Sequence, residues 1–197
     1  MAAQEKNVQI IKAAQTVFAE YRFEKVTIDD VARKAGMTRT ALYYYYKSKV
    51  EIFTAVLFYE IEQYAEGLST LVSNENPAIE NLLSFCGRIS TLKGRFRNVY
   101  KISTADIHSI ESRKIFSDIR TRLTELHGKI IEKILRNDRE IPRGTDFPAV
   151  SRIITESIRG ISIYPEGRNI DDIRSDMETF CRIFYAGLVH GRNCAGK

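Results

Sequence analysis

Apolar residues at Ile10, Ala13, Ala14, Val17, Phe18 and Tyr21 return every three or four positions, the spacing that gathers side chains on one face of a helix. The pattern predicts a first amphipathic helix over 8–21, with Asn7 as its N-cap. A second helix of two turns is predicted from Thr27. Its hydroxyl caps, Asp29 and Asp30 place negative charge on the first turn, and Ile28, Val31, Ala32 and Ala35 form the buried face. Gly36 then suits the left-handed position that stops a helix. Thr38 opens a third short helix to about Tyr45, and Ser48 to Glu51 has capping-box spacing for a fourth. That helix is long, because Phe53, Val56, Leu57, Ile61, Tyr64, Leu68 and Leu71 keep one stripe to about residue 72.

Beyond Pro77 the period stays helical. A fifth helix is predicted over 79–92 and a short sixth over 96–102. Ile115, Ile119, Leu123, Leu126, Ile130 and Ile134 mark a seventh, ending before Ile141-Pro-Arg-Gly144. Phe147, Val150, Ile154, Ile158 and Ile161 mark an eighth, and Ile170, Ile173, Met177, Phe180, Phe184 and Leu188 a ninth. No alternating run bounded by hairpin turns and no internal repeat interrupts this series. The expected fold is all-α with about nine helices: a three-helix head over residues 1–49 and a larger helical domain over 50–197.

Charge singles out the head. Residues 1–49 hold nine Lys and Arg against five acids, a surplus of +4, whereas the other 148 residues hold 21 against 20. A two-turn helix, a Gly turn and another two-turn helix in a basic region is the geometry that presents a recognition helix to the major groove. Four successive tyrosines, 43–46, sweep about 300° around the third helix, so they cannot all be buried. Leu42 and Tyr46 share the inward face. The outward rows pair Arg39 with Tyr43, Thr40 with Tyr44 and Ala41 with Tyr45, groups that donate to phosphates, while Arg also reads guanine edges.

Other chemistry is sparse. Cys86, Cys181 and Cys194 form no C-x-x-C pair; the first two read as small core hydrophobes and the last as an exposed thiol. His108, His127 and His190 lack ligand spacing, so no metal site is expected. A Gly-rich phosphate loop and a G-x-S-x-G elbow are both missing, which argues against an enzyme. The basic run Lys93-Gly-Arg-Phe-Arg97 reads as a solvated loop or as a contact for an anionic effector. Neither a signal-peptide core nor an apolar stretch of spanning length is present, so the expected location is cytoplasmic, away from the membrane.

Residues 23–53 resemble the DNA-binding domain of TetR-type repressors: a Thr opening helix two, Val-Ala, a Gly turn, Leu-Tyr-x-x, and a Lys opening helix four. Tyr46 departs from the usual Phe and adds a hydroxyl that needs a partner. The resemblance implies that Thr27 binds phosphate, and that Thr38, Arg39 and Thr40 lie at the groove. It implies further that Tyr43 and Tyr44 rest on the DNA backbone, that Tyr45 lies near bases or phosphate, and that Lys49 reaches a phosphate. It also implies a homodimer through the last two helices. The stripe of Ile154, Ile158, Met177, Phe180 and Phe184 fits that role, and fits an intramolecular core equally well. A small-molecule effector is implied among helices four to seven, with Phe85, Tyr100 and Phe116 as candidate pocket residues and no cofactor beyond that unidentified ligand. The function so implied is a ligand-responsive transcriptional regulator, a repressor that holds palindromic double-stranded operator DNA until the effector releases it. A sequence-neutral DNA-binding protein is the alternative, and a small-molecule enzyme the remote one.

Overall fold

The helical period is realised throughout a computed structural model of the chain, which describes residues 2–21, 23–70, 72–73, 75–96, 110–162 and 169–191. Among the described residues there are eight α-helices and no strand: α1 (Ala2–Glu20), α2 (Ile28–Lys34), α3 (Arg39–Tyr45), α4 (Lys49–Ser69), α5 (Ala78–Gly94), α6 (Ile110–Arg136), α7 (Phe147–Ser162) and α8 (Ile170–His190), with a 3-10 turn at Phe23–Lys25. The short helix expected over 96–102 falls almost wholly outside the described residues. The first helix begins six residues earlier than expected, so Asn7 lies inside α1 and is not its cap.

Where caps were legible, the backbone follows them. Thr27 accepts from the Asp30 N–H while the Asp30 carboxylate accepts from the Thr27 N–H, a complete capping box. Thr38 accepts from the Ala41 N–H at 3.2 Å. At α4 the box is shifted: Ser48 accepts from the Glu51 N–H, but the Glu51 carboxylate accepts from Lys47 N–H, one residue further out. Gly36 has φ +68°, the left-handed conformation that closes α2.

The chain forms two compact units, residues 1–63 with 94–119, and residues 64–93 with 120–197. In the first unit, Ile10, Ala14, Val17 and Phe18 of α1 pack with Val31 and Ala32 of α2, Leu42 and Tyr46 at α3, and Ile52 and Val56 of α4. Phe18, Phe23 and Phe53 form an aromatic cluster with ring centroids 4.8–6.0 Å apart. Burying one such side chain contributes about 1.5–3 kcal/mol, which is why this small head holds two-turn helices that would not persist alone. Glu60, itself buried, accepts from Gln15 of α1 at 2.8 Å and pairs with Arg95 just past α5 at 2.7 Å.

In the second unit, Asp138 acts as a polar knot. Its carboxylate accepts from the Ala78 N–H at the start of α5, the Glu140 N–H and the Tyr185 hydroxyl of α8. Three of the residues on the stripe expected at a subunit interface, Ile154, Ile158 and Met177, are buried inside this unit's own core and so are not available to a partner. The 3.6-residue pattern alone does not distinguish an internal face from an interface; only the packing of α7 on α8 does. Phe180 and Phe184 remain half-buried and lie against each other at 5.5 Å, while Ile183 of the same helix and Ile153 of α7 stand exposed.

Candidate nucleic-acid interface

The surface that matters is built by what α3 must hide. Leu42 is completely buried and Tyr46 nearly so, which fixes the rotation of the helix about its axis. The opposite face then carries Arg39, Thr40, Ala41 and Tyr44 into solvent, with Tyr44 81% exposed. Tyr43 and Tyr45 sit at the flanks, half-buried; Tyr45 packs against the head's core and meets Tyr44 edge-on at 5.5 Å. The four tyrosines thus divide into one core residue, two flanking residues and one projecting residue.

The Tyr46 hydroxyl finds its partner in Asn7 of α1, donating to Oδ1 at 2.6 Å. Asn7 is 39 residues away, beyond the reach of any local sequence pattern. Gln9 similarly ties α1 to the end of α2 by donating to the Ala35 carbonyl at 3.1 Å. Both bonds hold α1 against the helix-turn-helix.

Arg39 is held in place before any ligand arrives. Its guanidinium pairs with Asp29 at 2.8 Å, donates to the Tyr43 hydroxyl at 3.2 Å and lies 5.5 Å from the Tyr43 ring centroid. These contacts, the Tyr43 hydroxyl foremost, keep it charged and raise its pKa further. Thr27 is engaged as well: besides its backbone bonds its hydroxyl donates to Asp30 at 2.6 Å, so a carboxylate already sits at the α2 N-terminus. The Thr27 hydroxyl and N–H hold that carboxyl below the usual carboxylate range. Lys49 points back into the head, donating to the Phe23 carbonyl at 2.7 Å and lying 4.4 Å from the Phe23 ring centroid, where it braces the 3-10 turn. Thr38 and Thr40 are exposed at the start of α3. Of the eight residues singled out for DNA, the structure gathers Thr38, Arg39, Thr40, Tyr43 and Tyr44 on or beside one face of α3, while Thr27, Tyr45 and Lys49 have internal duties.

Residues 10–56, which span the core-forming part of this head, match the family of bacterial regulatory proteins described as the tetR family. The head is that of the TetR family. Its head is 44% identical over 55 residues to the HTH-type transcriptional regulator SrpR of Pseudomonas putida, a stretch covering 28% of this chain and 26% of that protein. The fold of the whole chain is shared with a transcriptional regulator from Cytophaga hutchinsonii (TM-score 0.75, 22% identity, 91% of this chain and 96% of that one). It is also shared with FadR from Bacillus subtilis, solved in complex with stearoyl-CoA (TM-score 0.56, 19% identity, 93% and 98%). The curated relative is matched over only about a quarter of its length, so the shared sequence is that of the TetR head and the rest is shared fold.

Outside the TetR head, the candidate effector residues separate. Phe85 is buried in the second unit and packs edge-on against His127 at 5.1 Å. Phe116 lies on α6 in the first unit, half-buried, and Tyr100 lies outside the described residues. Beside Phe85 is a polar group that no sequence spacing joins: the Tyr64 hydroxyl lies 3.0 Å from His127 Nε2. Burial and the nearby charge of Lys93 push the His127 pKa down to about 4, and burial pushes Lys93 down to about 8. Burial holds the Tyr64 hydroxyl protonated. The residues of this group lie 29 and 34 positions apart, with no motif to join them. Among the described residues there is no cluster of ligating side chains for a metal ion, and no helix is long and apolar enough to cross a membrane.

Proposed function

We propose that the protein is a transcriptional repressor that binds a palindromic operator as a homodimer through α3 and is released by a small-molecule effector. The observation that carries this reading is the rotation of α3. With Leu42 and Tyr46 inward, the helix offers a guanidinium, two threonine hydroxyls and a projecting tyrosine on one basic face, the set that binds phosphates and reads base edges. Arg39 exchanges Asp29 for a guanine edge on binding, while Tyr43 and Tyr44 donate to phosphates. Lys49 and Thr27 contribute by holding the 3-10 turn and the α2 terminus in shape, and Lys49 adds positive charge near the backbone.

One such head makes few base contacts, so specificity calls for two heads on half-sites about a helical turn apart. The dimer face is assigned to Phe180, Ile183 and Phe184 of α8 with Ile153 of α7, the apolar side chains these helices leave uncovered. The effector is assigned to the surroundings of Phe85, His127 and Tyr64. The Lys93 ammonium close to His127 suits a ligand with an anionic group joined to an apolar body. The complex of the FadR neighbour with stearoyl-CoA has that chemistry. Release follows by linkage: a ligand that prefers the conformation that does not bind DNA lowers DNA affinity by its differential affinity.

The test is selection of genomic fragments by the purified protein, followed by titration of the best fragment against a scrambled duplex at physiological salt. A palindromic site bound at least about a thousandfold more tightly than the scrambled duplex is the expected outcome. Equal affinity for both would leave a sequence-neutral DNA binder, since phosphate neutralisation alone does not discriminate.

A further inference from the structure

The second unit contains a pair of cysteines that the proposed function does not use. Cys86 of α5 and Cys181 of α8, 95 positions apart in the chain, bring their sulfur atoms to 3.6 Å, and both side chains are buried. Nothing separates the two sulfurs at that distance. The Arg174 side chain of α8 also reaches α5 here, its guanidinium within 3.6 Å of where a Cβ on Gly87, the neighbour of Cys86, would stand. A disulfide needs its sulfurs about 2.05 Å apart, so closure asks for a relative movement of about 1.5 Å.

We propose that Cys86 and Cys181 form a dithiol that a peroxide oxidises to an intramolecular disulfide, stapling α5 to α8. The proton distribution supplies the order of events. Either sulfur can donate its S–H to the other; with Cys86 as donor the pKa of Cys181 falls, while the same bond and burial raise that of Cys86. In that arrangement Cys181 is the nucleophile. Its thiolate attacks one oxygen of hydrogen peroxide, the O–O bond breaks, hydroxide leaves, and Cys181 becomes a sulfenic acid. The Cys86 sulfur then attacks the Cys181 sulfur; the S–O bond breaks, the oxygen leaves as water with the Cys86 proton, and the S–S bond forms. Both sulfurs are oxidised, one peroxide is reduced, and the sum is two thiols and one peroxide giving one disulfide and two waters. A molecule the size of peroxide suits a site this closed; a larger oxidant does not.

On the reading of the protein as an effector-released regulator, this makes peroxide a second input to the same helical unit. The chemistry itself does not depend on that reading. The experiment uses the full chain carrying Cys194→Ser, so that the remaining thiols are those of the pair. Folded protein is treated with hydrogen peroxide, then denatured under quenching conditions for thiol counting and intact-mass measurement. The expected result is loss of both thiols together, a mass decrease of two hydrogens, migration as a monomer on a non-reducing gel, and full reversal by dithiothreitol. Adding Cys86→Ser should leave a Cys181 sulfenic acid that dimedone traps, whereas adding Cys181→Ser should leave Cys86 as a thiol. Persistence of both thiols at peroxide levels that oxidise the Cys194 of the natural chain would overturn the proposal and leave a core pair. Added oxygen without a disulfide, or a bridge between chains, would overturn it equally. Absence of operator binding with the disulfide formed would remove the repressor reading and leave this inference standing.

Discussion

At the scale of single residues, the head shows how one helix serves two surfaces. Tyr43 to Tyr46 are chemically identical, and their positions around α3 alone give them different roles. Replacing Tyr44 by Phe removes a hydroxyl from the most exposed position, and the expected effect is weaker binding to operator and random duplex alike, since a phosphate contact carries no sequence information. Fluorescence anisotropy on both duplexes checks this; an effect confined to one base position would assign Tyr44 to base readout. Replacing Arg39 by Ala should cost about 1–3 kcal/mol on operator and also relax the preference at one base pair. Site selection with the variant gives the answer, and unchanged specificity would place Arg39 on the backbone. That α3 carries the candidate surface was legible, because an amphipathic helix leaves its polar row outside. The ion pair of Arg39 with Asp29 was not, because it joins two helices across a turn.

At the scale of elements, short helices rely on their ends. The link between α2 and α3 turns on Gly36 at φ +68°, where no atom lies within 4 Å of an added Cβ. A Gly36→Ala change therefore meets backbone strain and no clash, and should destabilise the protein by roughly 1–2 kcal/mol. Chemical denaturation measures this, and an unchanged midpoint would mean that the turn relaxes elsewhere. Capping at α2 and α3 is legible in the sequence because Thr and Asp act over three residues, a range the sequence displays directly. Asn7 is the opposite case: an Asn before an apolar stripe looks like a cap, yet α1 extends beyond it towards the N-terminus and the side chain is spent on Tyr46.

At the scale of the whole molecule, two half-buried titrating groups make stability depend on pH. His127 and Lys93 both have folded-state pKa values, about 4 and about 8, below those of an unfolded chain, about 6.5 and 10.4. The unfolded chain then binds more protons in each window, so stability rises with pH. The expected profile loses stability as pH falls from about 6.5 to about 4 and gains it from about 8 towards 10. Above 10 the raised pKa values of Tyr64 and Tyr185 oppose the gain. Urea midpoints across this range test it, with Lys93→Met expected to raise the midpoint at pH 7 and flatten the alkaline limb. Assembly is tested by Ile183→Asp, which places a charge on a side chain that is 70% exposed in the single chain. The expected result in sedimentation is a monomer of native helicity with operator affinity reduced at least tenfold, and a surviving dimer would move the interface off α8. The sequence by itself determined the helical class, the order of the helices, the basic head and its turn, because each rests on spacings of three or four residues or on local capping chemistry. Tertiary structure decided which stripe faces a core, which partner Tyr46 and Arg39 take, and that Tyr64, Phe85 and His127 meet. Those outcomes depend on residues tens of positions apart, which periodicity treats as independent and only packing brings together.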